Sequence, residues 1–235
     1  MSMVYHWLNR LQQRLWPSPC SLCLAPDPSG RGLCPGCLAD LPRLDPCCPH
    51  CALPLATAGQ VCGHCQRRPP RFDAAVALFR YAPPVDVLIQ GLKFGQALHF
   101  APLFAELLAA RLAGQRPPDC ILPVPLHPRR QRERGFNQAV EIARPLARRL
   151  GSRLELESCV RRRATAPQTG LSAAARRRNL RDAFVLARPL AGRSVAILDD
   201  VMTTGGTLDA IADVLRRGGV EHIEAWVCAR TVPHA

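Results

Sequence analysis

The stretch SVAILDDVMTTGGT, residues 194–207, combines two adjacent carboxylates with a loop of hydroxyls and glycines. Four apolar residues precede Asp199 and Asp200, and a helical pattern begins at Leu208. The free N–H groups at the start of a helix bind phosphate. Because carboxylates repel a bare phosphate, the two acids favour vicinal hydroxyls or a divalent cation beside it. The pattern therefore predicts a site for a phosphorylated sugar with a free diol, and the simpler alternative is an acidic turn before an ordinary helix.

This stretch resembles the phosphoribosyl pyrophosphate (PRPP) motif of type I phosphoribosyltransferases. The resemblance implies that Asp199 and Asp200 meet the ribose hydroxyls, directly or through Mg²⁺, and act as the catalytic residues by stabilising positive charge on the ribose ring. It also implies that the following loop holds the ribose 5-phosphate. The PRPP-binding residues implied within this stretch are Val201, Met202, Thr203, Thr204, Gly205, Gly206 and Thr207.

Most of the 12 cysteines form an internal repeat of Cys-x-x-Cys pairs in the first third of the chain. Each cysteine of one four-residue set recurs 28 positions later in the second set. Four thiolates at this spacing suit tetrahedral structural zinc, and a segment poor in apolar residues needs the metal to fold. The sequence leaves open whether each set binds its own ion or the pairs cross, so one or two Zn²⁺ ions are expected. The predicted ligands are Cys20, Cys23, Cys34, Cys37, Cys48, Cys51, Cys62 and Cys65.

Composition and charge narrow the class of protein. A hydrophobic fraction of 48% is enough for a packed core and excludes global disorder. The net charge of +13 favours anionic partners such as nucleic acid or phosphates. No apolar run is long enough for a membrane span, and the start of the chain lacks the features of a signal peptide, so a cytoplasmic location is expected.

Three domains are predicted from these patterns. Residues 1–19 have the spacing of an amphipathic helix, residues 20–66 are the double zinc ribbon, and residues 72–235 are an α/β domain. Strands are expected at 74–81, 120–124, 195–198 and 220–230, with helices at 85–94 and 97–112 between them. This alternation predicts a mostly parallel sheet flanked by helices, with right-handed crossovers.

Two arginine-rich segments lie where such a sheet has its binding loops. Arg129, Arg130, Arg132 and Arg134 follow the strand at 120–124, in a predicted loop suited to pyrophosphate. The segment 158–181 carries seven arginines and no acid between Arg161 and Arg181, and it is long for an unstructured connection. It could close over PRPP as a hood, or it could hold single-stranded DNA electrostatically.

With these motifs in order, the chain resembles the ComF/GntX family. The match rests on the double zinc ribbon, YAPPVDVLIQGLKF, VPLHPRRQRERGFNQA, TAPQTGLSAAARRRNL and the PRPP motif. The resemblance implies a zinc ribbon followed by a type I phosphoribosyltransferase fold, a cytoplasmic location, and a role in natural competence, DNA uptake or use of incoming DNA. It implies PRPP-binding roles for Lys93 and Arg134. It offers Asn137, Gln138 and Gln168 as candidates for the acceptor site or the hood.

Three functional hypotheses are compatible with the sequence. The first is a phosphoribosyltransferase with Mg²⁺ and PRPP whose acceptor is unknown and whose turnover is undecided. The second is a non-catalytic protein that binds single-stranded DNA, alone or with other competence proteins. The third is a PRPP sensor in which ligand closes the hood and changes the affinity for a partner.

Overall fold

The structure is a computed structural model that describes residues 18–94, 97–162, 183–190 and 192–232. It divides into two compact units between Pro42 and Arg43. Residues 1–17 of the predicted N-terminal helix and most of the predicted hood, including Gln168, lie outside the described residues.

The first unit contains the first cysteine set. Strands β1 (Ser18–Pro19) and β2 (Pro26–Asp27) pair antiparallel, and helix α1 (Pro35–Ala39) follows. The buried Asp27 carboxylate accepts hydrogen bonds from the N–H groups of Ser29 at 3.0 Å and Gly32 at 2.7 Å. With such short elements, this unit depends on its cysteines for stability.

The second unit begins with the second cysteine set and helix α2 (Gly63–Arg67), and it continues into the sheet. Leu44 and Ala52, which flank the first pair of this set, belong to the same buried apolar cluster as the sheet residues Ile197 and Val227. The boundary between compact units therefore falls between the two cysteine repeats, whereas the sequence repeat alone suggests a boundary after residue 66.

Five strands form one parallel sheet in the order β3-β9-β8-β4-β5. This confirms the predicted α/β fold with a mostly parallel sheet. A separate antiparallel pair, β6 and β7, flanks residues 163–182, which are not described. The strand bounds are β3 (Ala74–Arg80), β4 (Cys120–Pro123), β5 (Arg153–Leu154), β6 (Cys159–Arg161), β7 (Phe184–Leu186), β8 (Ser194–Met202) and β9 (His222–Arg230).

Helices connect the parallel strands and pack on the sheet. Their apolar faces are buried, and the central strand segment 195–198 is buried throughout, as expected for a strand covered on both faces. The bounds are α3 (Val85–Lys93), α4 (Phe100–Arg111), α5 (Pro128–Arg134), α6 (Gln138–Leu150) and α7 (Gly206–Arg217). Among the described residues, no helix has the length and apolar character needed to cross a bilayer.

Two elements differ from the sequence prediction. Strand β8 continues past Leu198 to Met202 because it pairs with β9 as far as Arg230, so the two carboxylates belong to the strand itself. The predicted arginine-rich loop forms the short helix α5. Its start is stabilised by Pro128 in the first turn and by His127 Nδ1, which accepts a hydrogen bond from Arg129 N at 3.2 Å.

Candidate functional site

The two carboxylates lie at the carboxyl end of β8, where the parallel sheet presents its loops. Asp199 Oδ1 accepts a hydrogen bond from Asp200 N at 2.9 Å, and Asp200 Oδ1 accepts one from Val201 N at 2.8 Å. Successive strand residues point to opposite faces, but the Asp200 side chain remains within hydrogen-bonding reach of the Asp199 carboxyl group. Asp200 is buried, with 3% of its surface exposed, and Asp199 is half-buried.

Lys93 provides the charge that neutralises the buried acid. Its Nζ lies 2.9 Å from Asp200 Oδ2, and the side chain reaches it from the last turn of α3. The structure thus places Lys93 beside the PRPP motif, and its predicted role in binding PRPP stays a prediction. The pair leaves Asp199 as the carboxylate without an equally close cation among the described ion pairs.

Burial raises the pKa of Asp199 well above its usual range, and the neighbouring charge of Asp200 raises it further. The Asp200 N–H and the Lys93 ammonium oppose this shift only in part. The carboxylate pair therefore holds more negative charge than its surroundings neutralise. Such a site favours a hydroxyl donor or a cation next to Asp199.

The phosphate-loop residues follow without interruption. Thr203 and Thr204 are exposed, Gly205 has φ of +80° and precedes α7, and Gly206 is the first helical residue. Within the described chain no side chain caps the α7 N-terminus, so its first N–H groups are directed at the loop. The left-handed φ at Gly205 explains the glycine, because L side chains rarely adopt it.

Two guanidinium groups, those of Arg134 and Arg161, lie within electrostatic range of the carboxylates. Burial lowers the pKa of Arg134, and the Asp200 charge opposes this shift. Burial also lowers the pKa of Arg161, and there the Asp199 charge opposes it. Arg130 lowers both pKa values by repulsion, so its guanidinium lies near that of Arg134 and near that of Arg161. A cluster of this kind suits a polyanion such as pyrophosphate.

The acceptor or hood candidates have structural partners. Asn137, 6% exposed, is the N-cap of α6: its Oδ1 accepts from Ala139 N at 3.0 Å and its Nδ2 donates to Val124 O at 3.0 Å. Gln138 is also buried, and its Oε1 accepts from Arg134 Nη1 at 2.6 Å. Both residues thus hold α6 and Arg134 in position, and their predicted roles toward an acceptor stay predictions.

A cavity of about 460 Å³ lies beside this cluster. Phe136, Leu156 and Val160 supply an apolar wall, and Arg144 and Arg161 lie on its lining as well. The cavity adjoins α5 and β6, because Pro128 and Gln131 of α5 and Cys159 of β6 also line it.

The cysteines form two tetrads, one per repeat. The ligand sulfurs of Cys20, Cys23, Cys34 and Cys37 lie within 4.8 Å of one another, and so do those of Cys48, Cys51, Cys62 and Cys65. This arrangement answers the pairing question in favour of one site per repeat.

Sulfur spacing and backbone donors fit zinc in both tetrads. The Sγ atoms of Cys23 and Cys34 are 3.7 Å apart, and those of Cys51 and Cys62 are 3.6 Å apart. Four sulfurs at 2.3 Å from a tetrahedral ion lie about 3.8 Å from one another. Backbone N–H groups donate to the ligand sulfurs, as from Cys37 N to Cys34 Sγ at 3.5 Å and from Cys65 N to Cys62 Sγ at 3.5 Å.

Comparison with known proteins agrees with this architecture. The family model of the double zinc ribbon domain matches residues 11–66, and that of the phosphoribosyl transferase domain matches residues 137–232. DNA utilization protein YhgH of Escherichia coli is 42% identical over 172 residues, covering 71% of this chain and 76% of the relative. Competence protein F of Haemophilus influenzae is 40% identical over 174 residues, covering 70% and 76%.

The chain belongs to the ComF/GntX family. The family's two parts, a double zinc ribbon and a phosphoribosyltransferase domain, correspond to the two tetrads and the parallel sheet described above. The relatives' names place them in competence and DNA utilization.

Solved structures that match include the purine phosphoribosyltransferase of Pyrococcus horikoshii, at 20% identity and a TM-score of 0.35 over 56% of this chain and 82% of that one. Adenine phosphoribosyltransferase of Leishmania tarentolae matches at 11% identity and a TM-score of 0.38 over 70% and 93%. Both TM-scores are low, so the family assignment rests on the domain models and the relatives.

Sequence reasoning missed one residue next to the phosphate loop, Arg230. It ends β9, where its guanidinium donates to the main-chain carbonyls of Met202 and Thr203 at the start of the phosphate loop. A signal was present in the sequence, because Arg230 closes the otherwise apolar run AWVCA. A charged residue at that point of a buried strand needs a partner.

Proposed function

We propose that this ComF/GntX protein binds PRPP at the carboxyl edge of its parallel sheet, as part of a role in DNA uptake or the use of incoming DNA. The observation that carries the proposal is that two adjacent carboxylates end the strand that leads into the α7 N-terminus, while Arg134 and Arg161 lie close enough to interact with them electrostatically. PRPP has a matching arrangement of charges and hydroxyl groups, because its ribose diol lies between a phosphate and a pyrophosphate. The role in DNA use rests on the names of the relatives.

The roles follow from position. Residues 201–207 form the loop for the ribose 5-phosphate, with the α7 N–H groups as donors. Asp199 and Asp200 face the ribose hydroxyls. Arg134, with Arg130 and Arg161, neutralises the pyrophosphate. Lys93 holds the buried Asp200 carboxylate in place through its ion pair at 2.9 Å.

The residues fit a magnesium ion at the acids. The raised pKa of Asp199 reports negative charge that Lys93 does not neutralise, and carboxylate oxygens are the ligands that Mg²⁺ prefers. Asp199 would hold the ion, with Asp200 supporting it through its charge. Bound with PRPP, Mg²⁺ would supply charge neutralisation of the phosphates.

The same geometry supports phosphoribosyl transfer as the chemistry of the site. In that reaction the bond between the ribose anomeric carbon and pyrophosphate breaks, and the acceptor nucleophile forms the new bond to that carbon. The carboxylates would stabilise the positive charge that develops on the ribose ring, and the guanidinium cluster would stabilise the leaving pyrophosphate. PRPP binding without turnover, as in a sensor, uses the same contacts.

Calorimetric titration with PRPP, with and without Mg²⁺, tests binding. We expect binding by the wild-type protein that strengthens with Mg²⁺ and is lost in Asp199→Asn. Asp213→Asn serves as the control, because Asp213 is an acid on α7 that pairs with Arg217 at 3.3 Å, outside the site. Equal affinity in Asp199→Asn and wild type would contradict the proposal. Release of pyrophosphate with any base or nucleotide would then separate an enzyme from a sensor.

A second candidate function is binding of single-stranded DNA, favoured by the surface beside the site. Arg129 and Arg132 are exposed on α5, and the neighbouring cavity has an aromatic wall at Phe136. Arginines that track phosphates next to an aromatic side chain that stacks on a base are typical of single-strand sites. In this arrangement DNA and PRPP would occupy adjacent surfaces, so PRPP could change the affinity for DNA.

A further inference from the structure

Arg230 is a buried cation bonded to main-chain carbonyls. It ends β9, and 5% of its surface is exposed. Its Nε donates to Cys51 O at 2.9 Å. Its Nη1 donates to Met202 O at 3.2 Å, to Thr231 O at 2.9 Å and to Thr203 O. A guanidinium presents its donors in a rigid plane, so these carbonyls are fixed relative to one another.

The carbonyls belong to two different structures. Cys51 is a ligand of the second tetrad, whereas Met202 and Thr203 lead into the phosphate loop. Arg230 is therefore a single side chain between the second zinc site and the backbone of that loop. All of these residues lie in the compact unit that begins at Arg43.

Other contacts hold the second cysteine set against the same part of the sheet. His50 Nδ1 lies 2.8 Å from Asp73 O, and Ala75 N donates to Pro49 O at 2.9 Å. Just after the tetrad, Arg71 N donates to Asp209 Oδ1 at 2.5 Å, in the first turn of α7. The turn that carries Cys51 thus has a defined position relative to the loop and its helix.

Metal binding fixes the position of the Cys51 carbonyl. Four thiolates near one another repel without an ion, and the apolar side chains packed against this tetrad (Leu53, Leu55 and Val61) are only partly buried, so the turn loosens when the metal leaves. Arg230 would then lose one of its partners and would hold the Met202 and Thr203 carbonyls less firmly. The N–H groups of the phosphate loop would lose their alignment as a result.

We propose that Arg230 is a positioning residue through which zinc at the second tetrad sets the affinity of the phosphate loop for a sugar 5-phosphate. Zinc at the first tetrad has no such effect. The inference rests on the proposed function, in which residues 201–207 bind the 5-phosphate. By linkage, a bound 5-phosphate also raises the affinity of the second tetrad for zinc.

The first experiment separates the loop from the rest of the site by using two half-ligands. Ribose 5-phosphate probes the loop, and inorganic pyrophosphate probes the arginine cluster. We expect Arg230→Met to weaken ribose 5-phosphate binding about tenfold or more while pyrophosphate binding is unchanged. Arg230→Lys keeps the charge but has fewer donors, so its affinity should be intermediate.

Arg216→Met is the matched control. Arg216 also donates to main-chain carbonyls, those of Val220 and Glu221, and it pairs with the side chain of Asp73 at 2.5 Å, but it lies at the far end of α7 from the loop. Its replacement should leave both affinities unchanged. Equal losses for ribose 5-phosphate and pyrophosphate in Arg230→Met and Arg230→Lys would show a general role in folding and would overturn the proposal.

The second experiment uses the repeat. Cys34 and Cys62 occupy equivalent positions in the two tetrads. We expect Cys34→Ser and Cys62→Ser each to lose one zinc ion by metal analysis. Only Cys62→Ser should lose about tenfold or more in affinity for ribose 5-phosphate. In the wild type, ribose 5-phosphate should raise the chelator concentration needed at equilibrium to remove one of the two zinc ions, and this effect should disappear in Arg230→Met.

Hydrogen exchange in the ligand-free protein measures the order of the phosphate loop directly, so its result does not depend on whether the protein binds PRPP. We expect faster exchange of the amides of residues 203–207 in Arg230→Met and Cys62→Ser than in Arg216→Met and Cys34→Ser. Unchanged exchange would overturn the inference. Faster exchange together with no binding of ribose 5-phosphate or PRPP by the wild type would instead refute the proposed function and leave the coupling of zinc to the loop standing.

Discussion

Lys93 Nζ lies 2.9 Å from Asp200 Oδ2, so the only lysine in the chain neutralises the more buried of two adjacent carboxylates. The ion pair joins the last turn of α3 to the end of β8. Three-quarters of the Lys93 side chain and nearly all of the Asp200 side chain are removed from solvent, with exposed fractions of 26% and 5%. Screening by water and salt is therefore weak, and each partner depends on the other.

Removing one partner of this pair should cost more than removing both. Lys93→Met leaves the Asp200 carboxylate buried without its cation, and we expect a loss of about 2 kcal/mol in the free energy of unfolding. Asp200→Asn should cost a similar amount, while the double variant recovers most of the loss. Urea denaturation of the four proteins measures the coupling energy. Additive losses would show that the pair is not stabilising.

The raised pKa of Asp199 predicts a stability that falls as pH rises. In the unfolded chain Asp199 has its ordinary pKa of about 4. The folded protein therefore keeps a proton on Asp199 at pH values where the unfolded chain has already released it. The stabilisation that this proton gives the folded state is fully present below the pKa of Asp199 in the unfolded chain. It is lost as pH rises through the raised pKa of Asp199 in the folded protein. Each unit of the shift corresponds to about 1.4 kcal/mol.

Asp199→Asn should remove this pH dependence and make the protein more stable than wild type at neutral pH. The free energy of unfolding of both proteins is measured with denaturant between about pH 6 and pH 8.5. Excess zinc is present throughout, so that the pH dependence of zinc binding is the same in both proteins and cancels in the comparison. Parallel curves for the two proteins would contradict the assignment. Loss of PRPP binding in the same variant would show that stability and function oppose each other at this residue.

A substitution at Gly205 tests the phosphate loop. It can separate the loss of stability caused by an unfavourable backbone conformation from the loss of ligand binding. Its φ of +80° is unfavourable for alanine, so Gly205→Ala should lower the free energy of unfolding by about 1 kcal/mol. Gly219, with φ of +88° at the other end of α7, should show the same loss as Gly219→Ala. Only Gly205→Ala should weaken ribose 5-phosphate binding.

The control for this prediction is therefore a glycine with the same conformation and a different position. Calorimetry with ribose 5-phosphate and thermal unfolding of the three proteins give both quantities. A similar loss of affinity in Gly219→Ala would mean that the effect comes from stability rather than from the loop.

The sequence predicts the features that local patterns determine. An apolar run, two acids and a Thr/Gly loop define the strand, the carboxylates and the helix start, because each signal lies within a few residues of the next. The cysteine spacing predicts both tetrads for the same reason, although assigning one site to each repeat needed the structure. The extension of β8 to Met202 was missed because pairing with β9 determines it.

Long-range contacts account for what the sequence did not reveal. The contact of Arg230 with Cys51 joins residues at opposite ends of the chain, and no local pattern specifies it. The same holds for the packing of Ala52 with the apolar core of the sheet, which puts the second tetrad in the unit of the phosphate loop. Helix α5 was in principle predictable, since Pro128 and Gly135 mark its start and end.

The arginines of α5 provide the test of DNA binding. Arg129 and Arg132 are exposed beside the candidate site, and replacing both with glutamine should weaken binding to a single-stranded oligonucleotide and reduce its salt dependence. For single strands, each lost phosphate contact lowers the slope of log affinity against log salt by about 0.7. Fluorescence anisotropy between low and moderate salt, with and without PRPP, measures both effects.

Arg148 and Arg149, exposed near the end of α6, supply the control for this charge change. Replacing both with glutamine removes the same two charges from a different face, so a general electrostatic attraction would weaken equally in the two double variants. A site beside the phosphate loop predicts instead that only the α5 variant loses affinity and slope. Absence of oligonucleotide binding at low salt in the wild type would exclude DNA as a direct partner of this surface. A change in affinity on adding PRPP would show that the two ligands are coupled, as a sensor requires.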